Sequence, residues 1–168
     1  HYAVSIAVVE GDPDPTTWTA LAGCVVNPAT GEVFTASKGA GAWLANKPIR
    51  VAPPVELSQA LIATGFAYDS AMRGRQGAII AALLPEVRDI RRQGTASLDL
   101  CFVASGRYNA YFERTLNPWD HAAGALIAAE AGATVKGWAE AAPSRDFIIA
   151  GHPDVAASLE AKLAVLGA

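Results

Sequence analysis

The chain has 168 residues, of which 52% are hydrophobic and 17% charged, and a formal net charge of −3. That apolar content and low charge exclude a disordered tail and suffice for one ordinary domain or two small lobes. The mild acidity argues against a dedicated nucleic-acid binder, and no apolar run approaches the roughly 20 residues of a membrane span. The start has no basic region, apolar stretch and small-residue cleavage site, so a cytoplasmic protein is expected. Cys24 and Cys101 both sit in apolar runs and read as buried free thiols.

The chain opens on His1 and runs at once into an apolar stretch, residues 2–9, that reads as a buried strand. A core strand needs something to lead the chain to it, so the sequence is expected to be the back part of a longer protein. Gly11-Asp12-Pro13-Asp14-Pro15 follows as a solvated turn. Its carboxylates lack the spacing and closing glutamate of a calcium loop. Residues 18–26 and 32–37 flank Asn27-Pro28-Ala29-Thr30-Gly31, a hairpin signature. Lys38-Gly39-Ala40-Gly41-Ala42 lacks both Walker and dinucleotide spacing and reads as a tight turn, and Asn46-Lys47-Pro48 as another.

Pro53-Pro54 marks a change of pattern. Beyond it short strands are expected at 61–64, 87–92, 108–112, 134–136 and 147–150. Helices are expected at 73–84, 96–104, 118–131 and 154–166. Strand alternating with helix predicts a largely parallel sheet with covered faces. The division is into 1–52, antiparallel sheet, and 55–168, an α/β lobe.

Three junctions carry candidate chemistry. Asn117 suits an N-cap and Pro118 the first helical position, so Asp120 falls third, where free amides and the helix dipole favour its ionised form. A carboxylate there serves equally as a dipole partner or a hard-cation ligand. Gly124, Ala128 and Ala131 continue that helix as a nearly bare stripe for close packing. Glu113 leaves a strand end, pointing with Asn109 and Tyr111 and away from Tyr108, Ala110 and Phe112. Open α/β sheets place ligands at such ends. Gly94-Thr95-Ala96 opens a helix with small residues that leave amides and a hydroxyl accessible to an anion. His121 and His152 read as structural histidines and Trp119 as core, since no nucleophile elbow and no zinc-like Cys/His spacing occurs.

Trp119-Asp120-His121-Ala122-Ala123-Gly124, followed by Glu130-Ala131-Gly132, resembles the C-terminal signature of the inositol monophosphatase family, in its bacterial, actinobacterial form. The likeness extends to Gly94-Thr95-Ala96, Tyr111-Phe112-Glu113, Asn27 to Glu32 and Gly39 to Trp43, in order along the chain. It implies a layered αβαβα sandwich of the α/β (α+β) class and Mg²⁺-dependent hydrolysis of a phosphate monoester, inositol 1-phosphate first. Histidinol phosphate, fructose 1,6-bisphosphate and 3′-phosphoadenosine 5′-phosphate are alternatives. It further implies a homodimer, Asp120 as a metal ligand on the leaving-oxygen side, Glu113 as acceptor for inositol hydroxyls, and Gly94, Thr95 and Ala96 as substrate contacts. The family's upstream Glu-Glu pair and Asp-Pro-Ile-Asp-Gly-Thr-type loop are absent from this sequence. That departure motivates a second reading, a phosphatase-like module that binds without catalysis. A third, binding to RNA or a transcription complex, is opposed by the net acidity.

Overall fold

The computed structural model describes residues 2–168, so His1, the first residue of the chain, lies outside the described residues. Five strands, β1 (Val4–Glu10), β2 (Thr19–Asn27), β3 (Glu32–Ser37), β4 (Ala42–Leu44) and β5 (Lys47–Ile49), form an antiparallel meander in sequence order. Its turns follow from local chemistry. Asn27 accepts the Ala29 amide through its side chain at 3.2 Å, and Gly31 takes a left-handed φ of 72° to close the β2–β3 hairpin. Ala45 and Asn46 both have positive φ and join β4 to β5, the conformation a two-residue hairpin needs. The turn read at Asn46-Lys47-Pro48 lies one residue earlier, since Lys47 and Pro48 open β5, and β4 did not show because three residues carry too little alternation to register.

The second sheet runs β7-β6-β8-β10-β9, with β6 Leu61–Thr64, β7 Asp89–Arg91, β8 Ala110–Glu113, β9 Thr134–Lys136 and β10 Ile148–Gly151. Its helices are α1 (Ser70–Leu83), α2 (Ala96–Ala104), α3 (Pro118–Glu130) and α4 (Pro153–Val165). Strand and helix alternate as expected, but the sheet is less parallel than expected. Pairing is parallel for β7-β6-β8 and antiparallel for β8-β10 and β10-β9. Alternation of elements does not distinguish a crossover helix from one that leads into a hairpin, and α3 leads into the β9–β10 pair.

Period-two alternation assigns the faces. Leu61, Ala63, Tyr111, Ile148 and Ala150 join one core with α2, α3 and the first sheet's Val25 and Phe34. Ile62, Ala110, Phe112 and Ile149 face the other way, onto α1 and α4. The layers are therefore first sheet, α2 with α3, second sheet, α1 with α4. Among the described residues the outer face of the first sheet is uncovered, and Val4, Ile6 and Val8 are exposed there. Tyr108 lies just before β8 and packs edge-on against Phe102, at 5.4 Å between ring centroids, in the first core and not beside Phe112. Among the described residues no helix is long and apolar enough to cross a membrane.

Helix α3 is clamped on two sides. A Cβ at Gly124 would stand 2.9 Å from the Leu100 Cβ of α2, and one at Gly23 of β2 would stand 3.0 Å from the Ala123 carbonyl oxygen. At the far end the Glu130 carboxylate accepts the Gly39 and Gly41 amides at 2.7 and 2.8 Å, so the glycine-rich turn holds α3 rather than a phosphate.

Candidate functional site

The C-terminal ends of β6 and β8 and the N-termini of α2 and α3 open on one cleft of about 1020 Å³. Gly94, Thr95, Ala96, Glu113 and Asp120 all line it, so the five residues singled out from the sequence come together. The sequence also placed Glu113 on the Tyr111 face, and the Tyr111 hydroxyl donates to Glu113 Oε2 at 2.7 Å.

Asp120 occupies the third position of α3, as expected, and its Oδ2 accepts the backbone N–H of the N-cap Asn117 at 2.8 Å. That bond fixes one carboxylate oxygen at the helix entrance. Arg145 donates to the Asn117 side chain and closes the same rim.

Glu113 is held from three sides. Burial pushes its carboxyl above the usual range, against the Tyr111 hydroxyl and the Arg92 guanidinium, which favour the charged form; the Asp120 charge adds to the rise. Gly65, at the end of β6, makes room for it, since a Cβ there would lie 2.1 Å from Glu113 Oε2. Gly94 does the same for Arg92, whose Nη1 would be 2.2 Å from a Cβ, and its φ of 81° also suits glycine.

Thr95 is the N-cap of α2, yet its hydroxyl makes no cap bond and Oγ1 is buried without a partner. The first amides of α2 have no intrahelical acceptors. Together they form a donor-rich wall suited to an anion.

Several lining residues were missed by sequence reasoning. Gly65 and Arg92 reach the cleft through the β6 and β7 strand ends, a position that only the sheet order reveals. Trp119, expected in the core, is 71% exposed on the cleft rim. The core-facing positions of α3 go to His121, Ala122 and Ala123, which leaves its second residue to point outward. Asp99, one turn into α2, is 1% exposed and both its carboxyl oxygens lack partners. Burial, with the Glu113 charge behind it and Arg92 opposing, pushes that carboxyl up to about 8.

His121 is buried beside Trp18, where burial lowers its basicity against the pull of Asp120, and His152 accepts the Asp154 amide at the start of α4. Neither of them lines the cleft. Cys24 and Cys101 are free, Cys101 buried and Cys24 partly so.

The profile of the inositol monophosphatase family matches residues 1–165. The chain belongs to that family. Inositol-1-monophosphatase from Mycobacterium leprae is 42% identical over 96% of this chain and 56% of its own length. Nus factor SuhB from Vibrio cholerae is 45% identical over 83% of this chain and 50% of its own. Among solved structures, Mycobacterium tuberculosis SuhB superposes with a TM-score of 0.83 at 40% identity, covering 98% of this chain and 64% of that one. The chain thus spans about half the length of the curated relatives it matches.

The family is generally metal-dependent, and the residues present test that against this chain. Among the described residues no group of three or more His, Cys, Asp or Glu side chains converges as a ligand set. Asp120 offers one carboxylate, where Mg²⁺ takes six oxygens, several of them water or phosphate. The described residues do not make a metal centre by themselves.

Proposed function

We propose that the cleft is the substrate site of a phosphate monoesterase, with inositol 1-phosphate as substrate and Mg²⁺ as cofactor. The observation that carries this is the meeting of Asp120, Glu113 and the α2 N-terminus in one cleft. The ionisable lining comprises the carboxyls of Asp69, Glu113 and Asp120 and the guanidiniums of Arg92 and Arg145. A phosphate dianion entering that balance needs a further cation, which supports a divalent metal ion that Asp120 would help to hold. Such an ion would supply phosphate neutralisation and water activation. Ligands beyond Asp120 are needed to hold it, so this activity is proposed for the native protein.

The chain's own residues bind and orient. The Ala96 and Ser97 amides and the Thr95 hydroxyl face the phosphate, and Glu113, fixed by Tyr111, accepts a polyol hydroxyl. Asp120 is held at the helix entrance by the Asn117 amide. A cytoplasmic homodimer belongs to the same reading.

Gly65→Ala tests the hydroxyl acceptor. The nearest atoms the new methyl meets are the flexible carboxylate end of Glu113, so the carboxylate is displaced and the buried Tyr111 hydroxyl loses its acceptor, at a cost to folding of about 1–3 kcal/mol. The loss of one charged hydrogen bond, about 1.5–3 kcal/mol, predicts a KM for inositol 1-phosphate raised roughly tenfold or more with a smaller change in kcat. Unchanged kinetics would remove Glu113 from substrate binding.

A second reading is favoured by the rim. Trp119 and the fully exposed Tyr68 both line the cleft and offer faces on which a base stacks. Comparing phosphate release from inositol 1-phosphate and 3′-phosphoadenosine 5′-phosphate decides between them. A higher kcat/KM for the polyol supports the first reading, and a higher value for the nucleotide the second.

A further inference from the structure

Asp99 is a side chain that the proposed chemistry does not use. It lies on α2, one turn after the N-cap Thr95, and is 1% exposed with neither carboxyl oxygen bonded. Among the described residues Arg92 is the one cation whose charge acts on it, and the same guanidinium charge favours the ionised form of Glu113. An ionised carboxylate buried without partners costs far more than a neutral acid in the same place. Two carboxyls thus share one guanidinium beneath the cleft, and only one of them has a hydrogen-bond donor, the Tyr111 hydroxyl.

We infer that Asp99 is a positioning residue for Glu113: it stands as an uncharged acid below the cleft floor, so that Glu113 alone carries the negative charge that Arg92 and Tyr111 aim at the ligand. The assignment of that ligand as a polyol phosphate rests on the function proposed above, while the coupling between the two carboxyls does not.

The surroundings leave few other sources of charge. Of the elements packed against α2, β6 and β10 carry no ionisable side chain and β2 carries Cys24. Helix α3 carries Asp120, His121 and Glu130, and β8 carries Tyr111 and Glu113, with Tyr108 just before it. The groups that act on Asp99 are Glu113 and Arg92.

The consequence has a definite sign. The folded protein holds a proton on Asp99 that the unfolded chain releases near the ordinary aspartate value of 3.8. Stability is therefore lost as pH rises from that value to about 8, where Asp99 ionises in the folded state too, and is level beyond. One proton makes the folded-to-unfolded ratio fall by up to tenfold per pH unit in that window. Asp99→Asn keeps the shape and cannot ionise.

The experiment is urea unfolding of the native protein, Asp99→Asn, Glu113→Gln and the double variant from pH 5 to 9, with the KM for inositol 1-phosphate at saturating Mg²⁺ measured alongside. The expected result is an advantage of Asp99→Asn over wild type that grows with pH and levels near 8. In the Glu113→Gln background it levels at lower pH, because the neighbouring negative charge is gone. The KM for inositol 1-phosphate is expected to rise severalfold between pH 7 and 9 in wild type and less in Asp99→Asn. An Asp99→Asn advantage flat across pH, or one indifferent to Glu113→Gln, overturns the inference. Absence of phosphate release at every pH in both proteins at saturating Mg²⁺ overturns the substrate assignment, and the unfolding series still decides the coupling.

Discussion

Asp120→Asn is expected to cut Mg²⁺-dependent phosphate release by the native protein about 100-fold or more while leaving it folded. The bond that anchors Asp120 is accepted from the Asn117 amide by Oδ2, and an asparagine side-chain oxygen accepts the same bond. The substitution therefore removes the negative charge at the helix entrance and little else. Removing one preorganised electrostatic group costs on the order of 100-fold to 1,000-fold in kcat, and a loss in that range is predicted here. Steady-state phosphate release at saturating inositol 1-phosphate measures it, with a thermal melt to confirm the fold. A variant within a few-fold of wild type would reduce Asp120 to a helix cap.

Gly124→Val is expected to have the largest effect on stability. The added Cβ would meet the Leu100 Cβ at 2.9 Å and the Ser97 carbonyl oxygen at 3.0 Å, and the second of these is backbone that no rotamer relieves. Helices α2 and α3 must then part. Overpacking of this kind costs about 1–3 kcal/mol, which lowers the melting midpoint by roughly 2–4 °C for each kcal/mol in a chain of this size. The shift reaches the cleft as well, because Ser97 and the α2 N-terminus line one wall and the α3 N-terminus another. A midpoint drop together with a raised KM is the predicted pair. A midpoint equal to wild type would mean that the seam between the helices is looser than the 2.9 Å approach implies.

The candidate site was legible where local chemistry fixes position. Asn117-Pro118 placed Asp120 at the third residue of its helix, and strand alternation placed Glu113 with Tyr111; the structure has both. The family likeness rested on those same residues, and the family profile bears it out. What stayed hidden depends on contacts between distant segments. Gly65 reads as the end of a short strand, and only the β6–β8 pairing brings it against Glu113. Trp119 reads as core by its chemistry, yet the faces of α3 leave it outside. Asp99 stands in the first turn of its helix, where a solvated carboxylate is an ordinary dipole partner. Its burial follows from α2 being enclosed between two sheets, which no periodicity within its nine residues announces. The antiparallel return of β10 was hidden for a related reason, since strand direction is set by the connection and not by the strand's own residues.

The measurement that tests the central claim most directly is phosphate release from inositol 1-phosphate by the native protein over a range of Mg²⁺ concentrations. The account predicts release that saturates with Mg²⁺ and disappears in EDTA. Absence of release at every Mg²⁺ concentration, from protein that is folded and binds the substrate, would contradict it and make the cleft a binding site without chemistry.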